Sequence, residues 1–133
     1  MVPDHEASPW RASYLPDLAA LFVVFEGQVS SVSLTDVAQS VLQLARHHDT
    51  KRVLVDCGGI EGGYSFVDLY LLAQTLGTSE EARAMRAAIL LPRLYDSGFF
   101  VRFWAMTSRN RGLNCRLFET TAEARAWLSE TQA

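Results

Sequence analysis

The sequence predicts an α/β fold: a five-stranded, mostly parallel sheet with an antiparallel hairpin at its start and about four covering helices. Two observations carry this. Short apolar runs of strand length alternate with longer runs whose apolar residues recur at helical spacing, the rhythm of βαβ units and a parallel sheet. Only the first two strand-like runs are too close for a crossover; the turn residues Pro16-Asp17 lie between them, so they form a hairpin.

Taken in order, Trp10, Ala12 and Tyr14 alternate with Arg11, Ser13 and Leu15, the period of a half-buried strand. Ala19 to Phe25 is a continuous apolar run that suits a central strand covered on both faces. Ser33 and Asp36 open the first helix with capping-box spacing, and Leu34, Val37, Ala38, Val41, Leu42 and Ala45 form its buried stripe. Lys51 to Cys57 is the third strand. It breaks into a glycine-rich loop from Asp56 to Ser65, and a second helix follows with Phe66, Leu69, Tyr70, Ala73 and Leu76 facing inward and Gly77 at its end. A short acidic-headed turn is capped from Thr78 to Glu81. Ala87 to Leu91 is the fourth strand, and Asp96 or Ser97 caps the next long helix, which Gly112 closes. Asn114 to Phe118 is the fifth strand; Thr120 and Glu123 cap a final helix that packs through Ala124, Trp127 and Leu128. Residues 1–8 read as a flexible tail and 9–133 as a single domain, the expected number for 133 residues.

Composition narrows the function classes. With 49% hydrophobic and 20% charged residues the chain is globular rather than disordered. No apolar run reaches bilayer-spanning length, and the first residues lack a signal-peptide pattern, so a cytoplasmic protein is expected. Two cysteines make no disulfide framework; Cys57 and Cys115 are expected to be small buried hydrophobes. The net charge of −3 is unevenly spread. Residues 1–82 carry four Lys/Arg against eleven acids, residues 83–116 seven Arg against one Asp, and residues 117–133 one Arg against three Glu. A mildly acidic chain without a continuous basic face argues against nucleic-acid binding.

Three segments then resemble the SpoIIAA-like branch of the STAS families, the fold of bacterial anti-sigma-factor antagonists. They are Glu26-Gly27 after the second strand, the strand Arg52-Val53-Leu54-Val55-Asp56 ending in Asp, and the closing run from Arg116-Leu117-Phe118-Glu119-Thr120 to Glu123-Ala124-Arg125-Ala126-Trp127-Leu128. The resemblance covers residues 19–130. It implies binding rather than catalysis, with no cofactor and no metal. In antagonist members an Asp-Ser pair opens the second helix and a partner kinase phosphorylates the serine; here that pair falls on Tyr64-Ser65. The branch is also similar to CRAL-TRIO lipid-binding domains, which implies an apolar ligand or peripheral membrane association.

The candidate sites follow from the residues. Ser65 is a candidate phospho-acceptor or a plain helix cap, the latter supported by Ser65-x-x-Asp68. Asp56, Gly58, Gly59, Gly62, Gly63 and Tyr64 form a candidate anion or partner loop, although the segment matches neither the Walker A nor the dinucleotide pattern. An enzyme built on Cys57, Ser65 and Glu61 is the alternative from another class; it lacks a visible base and orienting group. His47-His48 cannot easily chelate one ion, because helix neighbours point about 100° apart. On the last long helix but one, Phe99, Phe100, Val101, Phe103, Trp104, Ala105 and Met106 nearly encircle the axis. A stripe of Phe99, Phe100, Phe103 and Met106 is expected to cover the sheet, leaving a surplus that includes Trp104 exposed. Phe99, Phe100, Phe103 and Trp104 are therefore candidates for an apolar ligand site, a protein interface or a homodimer contact.

Overall fold

Alternation along the strands sorts the side chains into two layers, one on each side of a single sheet. The computed structural model describes residues 9–93 and 95–130, with the backbone alone for residues 95–97. The tail assigned to residues 1–8 lies outside the described residues, as do the side chains of the candidate caps Asp96 and Ser97, whose backbone is already helical. The strands are β1 (Trp10–Leu15), β2 (Ala20–Gln28), β3 (Arg52–Gly62), β4 (Arg86–Leu90) and β5 (Asn114–Phe118). They lie side by side in sequential order, β1 and β2 antiparallel and all later pairs parallel. The helices are α1 (Ser31–His48), α2 (Phe66–Gly77), the single turn α3 (Glu80–Arg83), α4 (Tyr95–Arg109) and α5 (Thr121–Ser129). The mixed five-stranded sheet with its N-terminal hairpin is the predicted one.

Crossovers of one hand between strands in sequential order place their helices on the same face. There Leu21, Val23 and Phe25 of β2, Val53 and Cys57 of β3, Ile89 of β4 and Cys115 of β5 meet Leu34 and Val37 of α1, Leu69 of α2 and Val101 and Ala105 of α4. The second face is covered by α5, which packs on β3, β4 and β5 through Ala124, Trp127 and Leu128 over Leu54, Ala88 and Leu90. β2 is therefore covered on its second face only near its start, where Ala20 is buried, while Phe22 and Val24 stay half-buried.

Several caps sit elsewhere than the spacing suggests. α1 starts at Ser30, whose hydroxyl accepts the Ser33 N–H at 3.2 Å, so Ser33 is inside the first turn. Ser30, Ser31 and Ser33 offer three starts within four residues, and the tie from the Val29 N–H to the Gly62 carbonyl at 2.7 Å selects the first. α3 is capped by Ser79 rather than Thr78, through the Ala82 N–H. α5 keeps its predicted cap, Thr120 accepting from the Glu123 N–H. α1 ends on Asp49 in the left-handed region, φ 52°.

Four arginines of the arginine-rich segment donate to backbone carbonyls, and one of them is buried. Arg86 is buried; its guanidinium donates to the carbonyls of Trp127 at 2.9 Å and Glu130 at 3.1 Å and lies 4.1 Å over the Trp127 ring. It thus closes the C-terminal end of α5, where a cation and donors are both favourable. Arg83 donates to the Gly77 carbonyl, Arg109 to that of Cys115, and Arg111 to that of Thr107.

Candidate functional site

The glycine-rich run does not break the third strand. β3 continues through Gly58 and Gly59 to Gly62, paired with β2 across two register shifts, between Val24 and Glu26 and between Gly27 and Gln28. Bulges of this kind absorb extra residues while the ladder continues. The Gly58 N–H, which a bound anion would need, donates to Asp56 Oδ1 at 2.8 Å. A Cβ at Gly58 would sit 2.9 Å from both Asp56 Oδ1 and Arg93 Nη1, so the chain's own carboxylate and guanidinium fill the space above this backbone. Gly63 turns the chain with φ +99°, and a Cβ there would lie 2.8 Å from the Val29 nitrogen; both conditions demand glycine. Asp56, Gly58, Gly59, Gly62 and Gly63 thus lock β3 against β2 and Val29.

Ser65 is the N-cap of α2. Its hydroxyl accepts the Asp68 N–H at 3.1 Å while Asp68 Oδ2 accepts the Ser65 N–H at 2.9 Å, a complete capping box. The residue is exposed and at the same time engaged. Tyr64, just before it, turns into the protein, its ring edge-on to Phe100 at 5.4 Å.

Cys57 is buried under the helices, and desolvation, aided by the neighbouring Asp56 charge, pushes its thiol from 9.0 up to about 12. The thiol stays protonated at neutral pH and makes no nucleophile. Native protein is therefore expected to spare Cys57 in thiol titration with Ellman's reagent at pH 8. Because the unfolded chain releases this proton near pH 9 and the folded chain only near 12, stability contributed by the neutral thiol is complete below pH 9. It declines between pH 9 and 12, by up to about 4 kcal/mol. Urea unfolding across that window should show a shallower decline for Cys57→Ala; an identical decline would refute the assignment. Cys115 is raised as well, by burial, with Arg109 opposing.

His47 and His48 form no chelating pair: His48 stacks on Tyr14 with centroids 4.2 Å apart, and His47 meets it edge-on. Among the described residues no cluster of three His, Cys, Asp or Glu could hold a metal ion. None of the described helices is long and apolar enough to cross a membrane.

The aromatic helix α4 faces the sheet with a different stripe from the expected one. Val101, Ala105 and Ser108 point inward, where their small size lets the helix approach closely, while Phe99 and Met106 are more than half exposed. Phe66 and Tyr70 of α2 are exposed too, rather than inward. Phe66 packs against Phe99, Phe100 and Phe103 across the α2–α4 seam, and Arg111 lies over the Tyr70 ring. With Val67 and Leu71 these residues put apolar side chains at the outer surface of two helices, where Arg102 and Arg109 of α4 are exposed as well. Surfaces of this kind mark interaction faces.

Trp104, expected outside, turns inward and lines a cavity of about 170 Å³ between the sheet and α1, α2 and α4. The cavity arises because short side chains oppose short side chains: Val37, Ala38 and Val41 of α1 stand over Val53, Val55 and Cys57 of β3, Ala87 of β4 and Cys115 of β5. Leu72 and Leu76 of α2 and Val101 of α4 also line it, with Ala82, Met85 and Leu113 among the rest of the wall. Its described lining contains no Asp, Glu, His, Lys or Arg. The wall is almost wholly apolar: Cys57, Cys115, Tyr64, Trp104 and Asn114 line it, but the Tyr64 hydroxyl and the Trp104 indole nitrogen are themselves buried rather than presented to the space.

No protein-family model matches the chain, and no curated protein matches it. Among solved structures it is similar to an uncharacterized protein from the DUF3478 family with a SpoIIAA-like fold, from Shewanella loihica PV-4. The TM-score is 0.55 at 17% sequence identity, over 90% of this chain and 91% of that one. A likeness at that identity shows the fold, and the fold is SpoIIAA-like, as the three sequence segments suggested.

Proposed function

We propose that this protein is a non-catalytic binding domain whose cavity beneath α1, α2 and α4 holds a compact apolar ligand. The observation that carries this reading is the 170 Å³ apolar space itself. Its wall is apolar almost throughout and partly open, so an apolar ligand can enter it and leave water behind. An apolar cavity of about 150 Å³ stays dry and takes up benzene, so the volume suits a single ring or a short branched chain better than a long acyl chain. Cys57 and Ser65 support a binding role over catalysis, one as a neutral buried thiol and the other as a cap.

The test is thermal unfolding with and without toluene, together with native mass spectrometry of gently purified protein. At ten times its dissociation constant toluene should stabilise by about 1.4 kcal/mol, raising the midpoint by about 5 °C, and the shift should grow with the logarithm of its concentration. A midpoint that does not move up to the solubility limit of toluene, with no co-purifying apolar adduct, overturns the reading.

A further inference from the structure

The outer sides of α2 and α4 expose large apolar side chains that the cavity does not use. Val67 is 64% exposed, Phe99 57%, Leu71 52% and Met106 51%. Scattered apolar residues are ordinary on a surface, but these adjoin one another. Phe66 and Tyr70 share one stripe of α2 and Val67 and Leu71 the next, each pair four residues apart. The Phe66 ring meets Phe99 across the seam at 5.9 Å, and Met106 lies two turns along α4 from Phe99. The charges beside them have one sign. Arg102 and Arg109 are exposed on the stripe of α4 adjoining Phe99 and Met106, and Arg111 lies over the Tyr70 ring. Among the described side chains of α2 and α4 one is acidic, Asp68, and it accepts the Ser65 N–H. A chain of net charge −3 therefore turns an apolar and cationic side outward here.

Shape and charge together select the occupant. A partner helix would need a groove, and the seam is filled by Phe66 packed on Phe99, Phe100 and Phe103. A second copy apposing the same face would bring arginine against arginine, with only the engaged Asp68 to answer them among the described side chains of these helices. An anionic bilayer surface requires neither a groove nor a matching relief. Apolar side chains enter the boundary between headgroups and acyl chains, and guanidiniums pair with the phosphates above it.

We infer that the outer face of α2 and α4 docks on an anionic lipid surface, with Val67, Leu71, Phe99 and Met106 entering the interface and Arg102 and Arg109 holding headgroup phosphates. The residues involved are outer ones, so this docking stands or falls separately from ligand uptake in the cavity.

The experiment sediments the full chain with vesicles of phosphatidylcholine alone and of phosphatidylcholine with about 30% phosphatidylserine. The anionic vesicles are expected to bind at least about tenfold more tightly, since each cation near such a surface is worth about fivefold. Raising the salt from about 0.05 to 0.5 M should release most of the bound protein, a readout that needs no variant. Arg102→Gln combined with Arg109→Gln should weaken binding by about 25-fold. Arg11→Gln combined with Arg116→Gln removes the same charge from exposed positions elsewhere and should weaken it by less than about twofold. Leu71→Ser combined with Phe99→Ser should weaken it by at least about tenfold. Absence of binding to the anionic vesicles overturns the inference. Equal losses for the two arginine pairs would mean attraction without a defined face, and would overturn it as well. If the vesicles go unbound while the protein alone sediments as a dimer that Phe99→Ser dissociates, the face is a contact between copies and the lipid assignment falls.

Discussion

Ala87→Leu is expected to stabilise the protein and to close it to apolar probes. Ala87 sits in the middle of the sheet, with Val53 and Cys115 as its register partners, and all three line the cavity. The leucine adds three carbons to that space, about 2 kcal/mol of new apolar contact at about 0.8 kcal/mol each. In a filled core the same change would overpack and cost about 1–3 kcal/mol. The sign of the stability change therefore reports whether the space exists in solution. Toluene uptake should weaken at least about tenfold in the same variant. Destabilisation with toluene binding intact would remove the cavity from consideration as a site.

Leu128→Ala is expected to cost about 3 kcal/mol, within the range for fully buried leucines. Leu128 is completely buried in the layer where α5 is the covering helix, against a sheet surface that includes Leu54, Ala88 and Leu90. The lower urea midpoint should come with an unchanged slope. Toluene affinity should also be unchanged, since the cavity lies on the other side of the sheet. A loss below about 1 kcal/mol would show that α5 does not seal this layer.

Elements with one clear apolar period were legible in the sequence. β1 alternates strictly, and the close spacing of β1 and β2 left only a hairpin. The helix α4 was legible as a helix and illegible in its orientation. Its stripe of Phe99, Phe103 and Met106 and its stripe of Val101, Trp104, Ala105 and Ser108 are both compatible with burial on period alone. Closeness of approach decides between them, and that favours Ala105 and Ser108. The end of β3 was misread because glycines signal turns locally, whereas here the long pairing with β2 draws them into the ladder. The sequence showed the crowding of arginines in residues 83–116 but not their partners: Arg86 finds its carbonyls 41 and 44 residues away, a distance no local pattern encodes. The cavity was equally hidden. Each of its small residues is ordinary, and the shortage of volume appears only once the sheet register brings Val53, Ala87 and Cys115 abreast.

The sequential strand order also shapes how the chain is made. As residues leave the ribosome, each strand after the first finds the neighbour it pairs with already synthesised, and the α1, α2 and α4 layer can be laid down in step. The other face has no such progression. Ala20, Leu54, Ala88 and Leu90 are complete by residue 90, yet their cover begins only at Thr121. For the length of α4 and β5 the nascent protein carries a sheet of four strands, then five, with one greasy side open, the state in which partly made chains associate with one another. The last helix therefore acts as a closing step in synthesis, and a chain cut short before it would present that face to every other copy.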